Sequence, residues 1–315
     1  MSEIRHILTS HSIDNVFDYC PRKFEFLNVY DRRPPRESGF AAQVGTALHE
    51  GTQAWLIARA EGLSPEACEQ AAYFAMLMHY PWAEEYEQST RARSHDKVIL
   101  ALHKIIKSSH WNDWQLVRIK DKGWAIEIPW VIRHASVGEF TLKSTGERCM
   151  LATQGKIDFI LYNEKLNQYR TWDLKTTVYA EGLVRSEYTY SGQQVGYSNV
   201  LHAMLGINPD QMEFGYLICR FINDDEAQIQ PMLMTKGRDA IEDYWLGKLD
   251  RLYRMKAYAE QGYFPRTNGG CHSFGKECVM FDICGTRDDA LIRRWFDSID
   301  AEPQQPYDYW IELEV

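Results

Sequence analysis

No apolar run in this sequence approaches the ~20 residues that a membrane span needs. The opening stretch, MSEIRHILTSHSIDNVF, carries acids and lacks the apolar centre of a secretory leader. Together these absences point to a cytoplasmic protein. Excess positive charge is missing too. The formal net charge is −9, which excludes a protein that coats nucleic acid by bulk electrostatics. Any nucleic-acid contact must then come from local basic patches or from divalent metals that neutralise an acidic site. PRKFEF (Arg22, Lys23) and YDRRPPRES (Arg32, Arg33, Arg36) are candidate patches. No complete phosphate loop is present: TQGKID lacks the first glycine and the final Ser or Thr of G-x-x-x-x-G-K-[ST]. That argues against a helicase. There are no internal repeats and no low-complexity segment. The seven cysteines are an odd number, and disulfides are disfavoured in the cytoplasm.

What remains is an ordinary globular composition: 45% hydrophobic and 25% charged residues over 315 positions, ample for a sizeable core. Residues 10–19, SHSIDNVFDY, read as a short helix with Ser12 as N-cap, and DRRPPRESGF as a Pro-rich loop. QVGTALHEGTQAWLIARAEG sets Val44, Leu48, Trp55 and Ala58 at helical spacing, with His49 at the edge of the stripe. Further amphipathic helices cover 64–80 and 95–108, so 44–110 reads as a helical insert. The period then changes. Trp124, Ile126, Ile128, Trp130 and Ile132 alternate as one face of a half-buried strand. ERCMLATQGKIDFILY and QYRTWDLKTT read as strands joined by NEKLNQ. Residues 181–205 read as a helix, QMEFGYLICRFI and AQIQPMLMT as a hairpin, and 237–260 as a long helix with Ile241, Trp245, Leu249 and Leu252 inward. The order predicts an α/β fold, a mixed sheet flanked by helices, with its core over 120–260 of a single domain 1–315.

TWDLKTT, residues 171–177, carries the chemistry. Asp173 and Lys175 are two apart and share one face of a strand, while Trp172 and Leu174 point to the other. Asp158 ends a Gly-x-x-Asp unit on the neighbouring strand. Side chains across a hairpin come within about 5 Å, so two carboxylates can converge beside one lysine. Like charges that close repel unless a cation joins them. Mg²⁺ suits such a site, because it prefers oxygen ligands and often takes only one or two carboxylates. Taken singly, a D-x-K pair, a helix-edge histidine or a lone aspartate is more commonly structural; their combination across one hairpin favours a metal site.

G-x-x-D followed by D-x-K in a strand hairpin resembles the PD-(D/E)xK nuclease superfamily. VGTALHEG resembles the helix-borne histidine motif of its RecB-like branch, and SGQQVGY the branch's Q-x-x-x-Y motif. The resemblance runs from Cys20 to Cys284. It implies a restriction-endonuclease-like fold and a Mg²⁺- or Mn²⁺-dependent deoxyribonuclease, an exonuclease on single strands or DNA ends. His49, Asp158, Asp173 and the Leu174 carbonyl would hold the metal, and Asp158, Asp173 and Lys175 would form the catalytic set. Gln193 and Tyr197 would position the DNA, with Arg22, Lys23, Arg32 and Arg33 guiding its backbone. The setting implied is a prokaryotic or phage-infected cell, in recombination, repair, phage replication or CRISPR adaptation, with a partner protein from one of those systems. A rival is a catalytically silent DNA-binding or assembly subunit that keeps the fold.

Cys20, together with Cys271, Cys278 and Cys284 spaced C-x6-C-x5-C, resembles the iron–sulfur staple of AddB-type and CRISPR-adaptation exonucleases. Four thiolates suit a 4Fe–4S cluster or structural zinc. The spacing departs from the commoner pattern, in which the first two cysteines of the trio are closer, and His272 is a substitute ligand. Cys68, Cys149 and Cys219 sit in apolar contexts and read as inert core thiols.

Overall fold

The computed structural model describes residues 4–34, 39–80, 93–179, 181–183, 188, 191–208, 211–222, 227–234, 237–267, 271–273, 276–303 and 307–315. Arg36, in the basic loop, lies outside them. The strands are β1 (Arg5–Thr9), β2 (Gln115–Leu116), β3 (Arg118–Ile119), β4 (Gly123–Trp124), β5 (Ile126–Arg133), β6 (Phe140–Thr141), β7 (Arg148–Asn163), β8 (Gln168–Thr177), β9 (Met212–Arg220), β10 (Gln228–Met234), β11 (His272–Ser273), β12 (Lys276–Glu277) and β13 (Ile311–Glu314). The helices are α1 (His11–Tyr19), α2 (Pro21–Phe24), α3 (Phe40–Ala60), α4 (Pro65–His79), α5 (His95–Ile106), α6 (Gly192–Leu205), α7 (Arg238–Gln261) and α8 (Asp289–Ser298). The fold is mixed α/β, a large mixed sheet with flanking helices. Among the described residues no helix is long and apolar enough to cross a membrane.

The chain forms two compact units. One comprises Met1–Arg36, Pro129–Lys156 and Glu242–Val315; the other comprises Glu37–Ile128 and Ile157–Ile241. In the second unit, β10 pairs antiparallel with β9, β9 parallel with β8, and β8 antiparallel with β7. Asn163↔Gln168 through Phe159↔Trp172 fix the register of the β7–β8 hairpin. The expected insert does not stand apart. Val44, Leu48 and Leu56 of α3 and Leu102 of α5 share one hydrophobic core with Phe159, Trp172, Leu174 and Leu217 from the strands. Gly51 explains the close packing of α3: a Cβ there would lie 2.9 Å from Leu102 and 3.0 Å from the Ala72 carbonyl.

In the first unit, β1 runs parallel to the early part of β7, and β13 runs parallel to β5. Ile7, Phe17, Phe24, Leu151, Leu252 and Phe264 form its core. Gly155 opens the Gly-x-x-Asp unit for a steric reason, since a Cβ there would meet the Trp130 ring at 2.6 Å.

Three expectations are corrected. Ser10, not Ser12, caps α1, its hydroxyl accepting from the Ile13 amide, while Ser12 lies inside the first turn. Residues 181–205 are not one helix, because Ser191 is extended and serves as the N-cap of α6. The alternation from Trp124 to Ile132 fails because Glu127 adopts a left-handed backbone (φ 48°), after which Ile128 to Ile132 are all buried.

Candidate active site

β7 and β8 build the site from below. One step beyond the Phe159↔Trp172 pair, Asp158 comes opposite Asp173. Trp172 and Leu174 enter the core, which turns Asp173 and Lys175 to the opposite face, as strand geometry requires. Lys175 Nζ lies 2.8 Å from Asp173 Oδ1, and the Leu174 amide donates to Asp158 Oδ2 at 3.3 Å. Asp173 is 1% exposed, and its Oδ2 is buried with no hydrogen-bond partner among the described residues. A buried carboxylate oxygen left without a partner is costly.

α3 supplies the other side. Its apolar stripe packs into the core and leaves His49 stacked on Phe159, with ring centroids 5.9 Å apart. His49 Nε2 stands 2.9 Å from the Leu174 carbonyl oxygen and 3.2 Å from Asp158 Oδ2. The four ligands expected from the sequence are thus His49 and the Leu174 carbonyl in contact, Asp158 beside both, and Asp173 across the hairpin.

Sequence reasoning missed Glu127. Its Oε1 is 3.8 Å from His49 Nδ1, and it accepts a hydrogen bond at 3.1 Å from Gln53, one turn further along α3. His49, Glu127 and Asp158 each offer a ligand atom within 4.8 Å of the others. The apolar alternation around Glu127 concealed it. A lone glutamate within that apolar pattern was the available signal; its strained backbone, of the kind that concentrates at functional sites, is seen only in the structure.

The charges are strongly coupled. Burial raises the Asp158 pKa well above the carboxylate range, and the charge on Asp173 adds to it. Burial opposes the charged form of His49, but Asp158, Glu127, the Leu174 carbonyl and Asp173 outweigh it and lift its pKa to about 9. Burial likewise works against Lys175, yet Asp173 and Asp158 hold its pKa above the usual lysine value. Tyr197 is buried; burial raises its pKa, and Asp173 and Asp158 raise it further, so its hydroxyl stays neutral within the field of both carboxylates. Gln193 donates to the Tyr197 hydroxyl at 2.9 Å. Two carboxylates, a third from Glu127, an imidazole and a carbonyl form a donor set that fits a hard divalent cation.

The other predicted residues lie in the first unit. Cys20, Cys271, Cys278 and Cys284 line one small cavity with Lys23, Phe26 and Arg266. The β11–β12 pair brings the Cys278 amide to the Cys271 carbonyl at 2.8 Å. Burial raises the Cys284 pKa, and Cys20 and Cys271 raise it further against Arg266 and Arg22. The side chain of His272 lies outside the described residues. Four thiols on one cavity fit a thiolate-bound cluster or zinc. Cys68, Cys149 and Cys219 are buried, and burial pushes the thiol of Cys149 up to about 11 and that of Cys219 to about 12. Arg22 is buried rather than displayed: it pairs with Glu25 and donates to the Thr286 carbonyl at 2.6 Å. Arg32 donates to the Ala301 carbonyl at 3.4 Å, and Arg33 forms a backbone bridge with Glu302. Lys23 is partly exposed.

No curated protein matches the chain. Several solved structures resemble it, these two among them. One, from Eubacterium rectale and described as a "putative exonuclease", is 12% identical, with 89% of this chain and 93% of that one covered and a TM-score of 0.42. The other, SSO0001, is 14% identical, with 76% and 84% covered and a TM-score of 0.28. Residues 9–285, which hold all seven cysteines and Glu127, Asp158 and Asp173, match the family whose signature the β7–β8 hairpin spells, and the chain belongs to the PD-(D/E)XK nuclease superfamily.

Proposed function

We propose that this protein is a metal-dependent DNA nuclease, an exonuclease acting on single strands or DNA ends. The observation that carries this is the buried Asp158–Asp173 pair beside Lys175, with one Asp173 oxygen left without a hydrogen-bond partner among the described residues. A structural ion pair would close such a site; a metal site leaves it open for the ion. His49, Asp158, Asp173 and the Leu174 carbonyl would hold Mg²⁺ or Mn²⁺, with Glu127 as a further ligand. Bound there, the ion would neutralise the scissile phosphate and lower the pKa of a water molecule. Lys175 would orient that water and offset charge on the developing phosphorane. Gln193 and Tyr197, one helical turn apart, would position the strand. Lys23, Arg32 and Arg33 would guide the backbone by charge; Arg22, committed to Glu25 and Thr286, supports the cysteine region instead.

The four cysteines would hold a 4Fe–4S cluster, with structural zinc as the alternative. Iron, sulfide and zinc analysis of anaerobically purified protein separates the two. Closing so long a loop restricts the unfolded chain, so Cys278→Ala is expected to lower stability and DNA affinity while leaving the carboxylate site in place. The setting is the processing of DNA ends in recombination, repair, phage replication or CRISPR adaptation, in the cytoplasm.

The test is degradation of end-labelled single- and double-stranded DNA with Mg²⁺ or Mn²⁺. Cleavage by the wild type that Asp173→Ala and Lys175→Ala abolish supports the assignment, and the labelled end reports polarity. DNA binding without cleavage would make the chain a silent binding subunit. Cleavage that survives both substitutions would place the chemistry elsewhere.

A further inference from the structure

A second feature of α3 lies beyond the carboxylate site. Leu56 and Ala60 follow His49 by seven and eleven residues, spacings that return to the same face of a helix. With Arg59 they wall a cleft of about 390 Å³, closed by Trp114, Gln115, Leu116 and Trp124. These lining residues include one cation and no carboxylate, in a chain whose net charge is −9. The Arg170 guanidinium covers the Trp114 ring at 3.8 Å, and Arg118 lies 5.4 Å from the Trp124 ring. The β3–β4 hairpin that carries Trp124 exposes Arg118, Lys120 and Lys122.

A partly exposed indole at Trp124, an apolar floor that includes the buried Trp114, an arginine and an amide at the edge, and a basic hairpin alongside match one ligand chemistry. A nucleobase presents a flat face for stacking and a polar edge for hydrogen bonds, next to an anionic backbone. Duplex DNA buries those faces. The distance along α3 from His49 to Leu56 and Arg59 is about 10 to 15 Å, or three to four stacked nucleotides at ~3.4 Å each.

We propose that this cleft is a base-binding subsite for single-stranded DNA, in which an unpaired base stacks on Trp124 over the apolar floor, Arg59 and Gln115 reach its edge, and Arg118, Lys120 and Lys122 take the adjoining phosphates. The subsite rests on the nuclease assignment, because the strand it holds is the one whose phosphate meets Asp158 and Asp173.

The test is binding of labelled single-stranded oligonucleotides in which one abasic position is moved stepwise along the strand. Ca²⁺ replaces Mg²⁺ so that affinity is read without turnover. The wild type should lose about tenfold in affinity at one position, three to four nucleotides from the phosphate at the carboxylate site, and little elsewhere. Trp124→Ala and Arg59→Gln should each bind the intact strand more weakly and show no further loss at that position. Arg59 is partly exposed, so its variant reports even where Trp124→Ala fails to fold. A flat abasic profile, a position that both variants still sense, equal competition by duplex, or no binding of single strands each overturns the subsite. Failure of the two assignments is distinguishable: a flat profile in a protein that cleaves with Mg²⁺ or Mn²⁺ removes the subsite alone. A positional signature in a protein that never cleaves keeps the subsite and removes the nuclease.

Discussion

Each unit holds a lysine–aspartate pair, one wholly buried and one with its lysine partly exposed, and the two are built to opposite ends. In the first unit Lys248 is 0% exposed, and its ammonium reaches Asp14 Oδ1 at 2.7 Å, Asp14 Oδ2 at 2.5 Å and Thr9 Oγ1 at 3.0 Å. A lysine has three donors, and all three are used. In the second unit Lys175 also meets one aspartate, Asp173, at 2.8 Å. There, however, a second carboxylate stands across the hairpin, and Asp173 Oδ2 has no hydrogen-bond partner among the described residues. The first pair is closed, with charge and hydrogen bonds balanced inside the protein. The second is open: Asp158 and His49 adjoin it, and its hydrogen bonding is incomplete among the described residues. Burial of an ion pair by itself says little about function; its incompleteness says much more.

The sharpest break of this comparison is to disable the open pair. Asp173→Asn and Lys175→Ala should each lower DNA cleavage by roughly a thousandfold, or about 4 kcal/mol of transition-state stabilisation. Asp173→Asn should also leave the denaturation midpoint unchanged or raised, because it removes one of two repelling carboxylates. The reverse experiment is Lys248→Met, which strands Asp14 in the core. Breaking a buried pair on one side costs about 3–5 kcal/mol. Stability measured by urea titration should fall by that amount, while cleavage per folded molecule stays within about twofold. Equal destabilisation by Asp173→Asn and Lys248→Met would erase the distinction between the two pairs.

The two pairs also differ in how visible they are in the sequence. Asp173 and Lys175 stand two apart on one strand face, so strand periodicity alone brings them together. Asp14 and Lys248 are 234 residues apart, and nothing local links them. The same contrast runs through the fold. The β7–β8 hairpin was legible because its partners are joined by a short turn and its faces alternate cleanly. The capping role of Ser10 over Ser12 depended on a two-residue shift of helix start, which composition does not resolve. Glu127 was hidden because its neighbours alternate as an ordinary strand, and a left-handed residue leaves no mark when it is not glycine. Arg22 read as a surface cation until its partners, Glu25 three residues on and Thr286 from the far end of the chain, placed it inside.

The closed pair belongs to a longer network with its own pH response. Thr9 Oγ1 lies 3.0 Å from Thr153 Oγ1, which in turn lies 2.7 Å from His134 Nε2. His134 is 0% exposed; burial, and then the Lys248 charge, lower its pKa to about 4. In the unfolded chain this histidine titrates near the ordinary histidine value of 6.5. Between these two values the unfolded state binds the extra proton, so stability rises with pH across that window. Acidifying from pH 7 to pH 4 should therefore remove up to about 3 kcal/mol from this source. His134→Gln should flatten that part of the profile in urea titrations repeated at each pH. A variant profile that stays parallel to the wild type would assign the acid sensitivity to other groups.

Glu127 gives the smallest effect and the finest distinction. It stands at the rim of the open site, held by Gln53 at 3.1 Å and facing His49 at 3.8 Å. If its carboxylate only accepts these hydrogen bonds, Glu127→Gln should keep them and change nothing. If it is a metal ligand, the amide removes a charge from the donor set and weakens the ion. The expected loss is roughly tenfold in Mg²⁺ or Mn²⁺ affinity, within the range that perturbing a metal site's supporting groups produces. Thermal unfolding reads this directly, because an ion that binds only the folded state stabilises it by RT ln(1 + [L]/Kd), about 2.7 kcal/mol at a hundredfold excess over Kd. The Glu127→Gln titration curve should shift to about tenfold higher metal concentration with an unchanged midpoint in EDTA. The Lys248→Met curve should begin from a lower midpoint and rise over the same metal concentrations as the wild type. A lowered affinity on a stable scaffold in one variant, and an intact affinity on a weakened scaffold in the other, is the pattern expected when one pair of charges holds the fold and the other holds the ion.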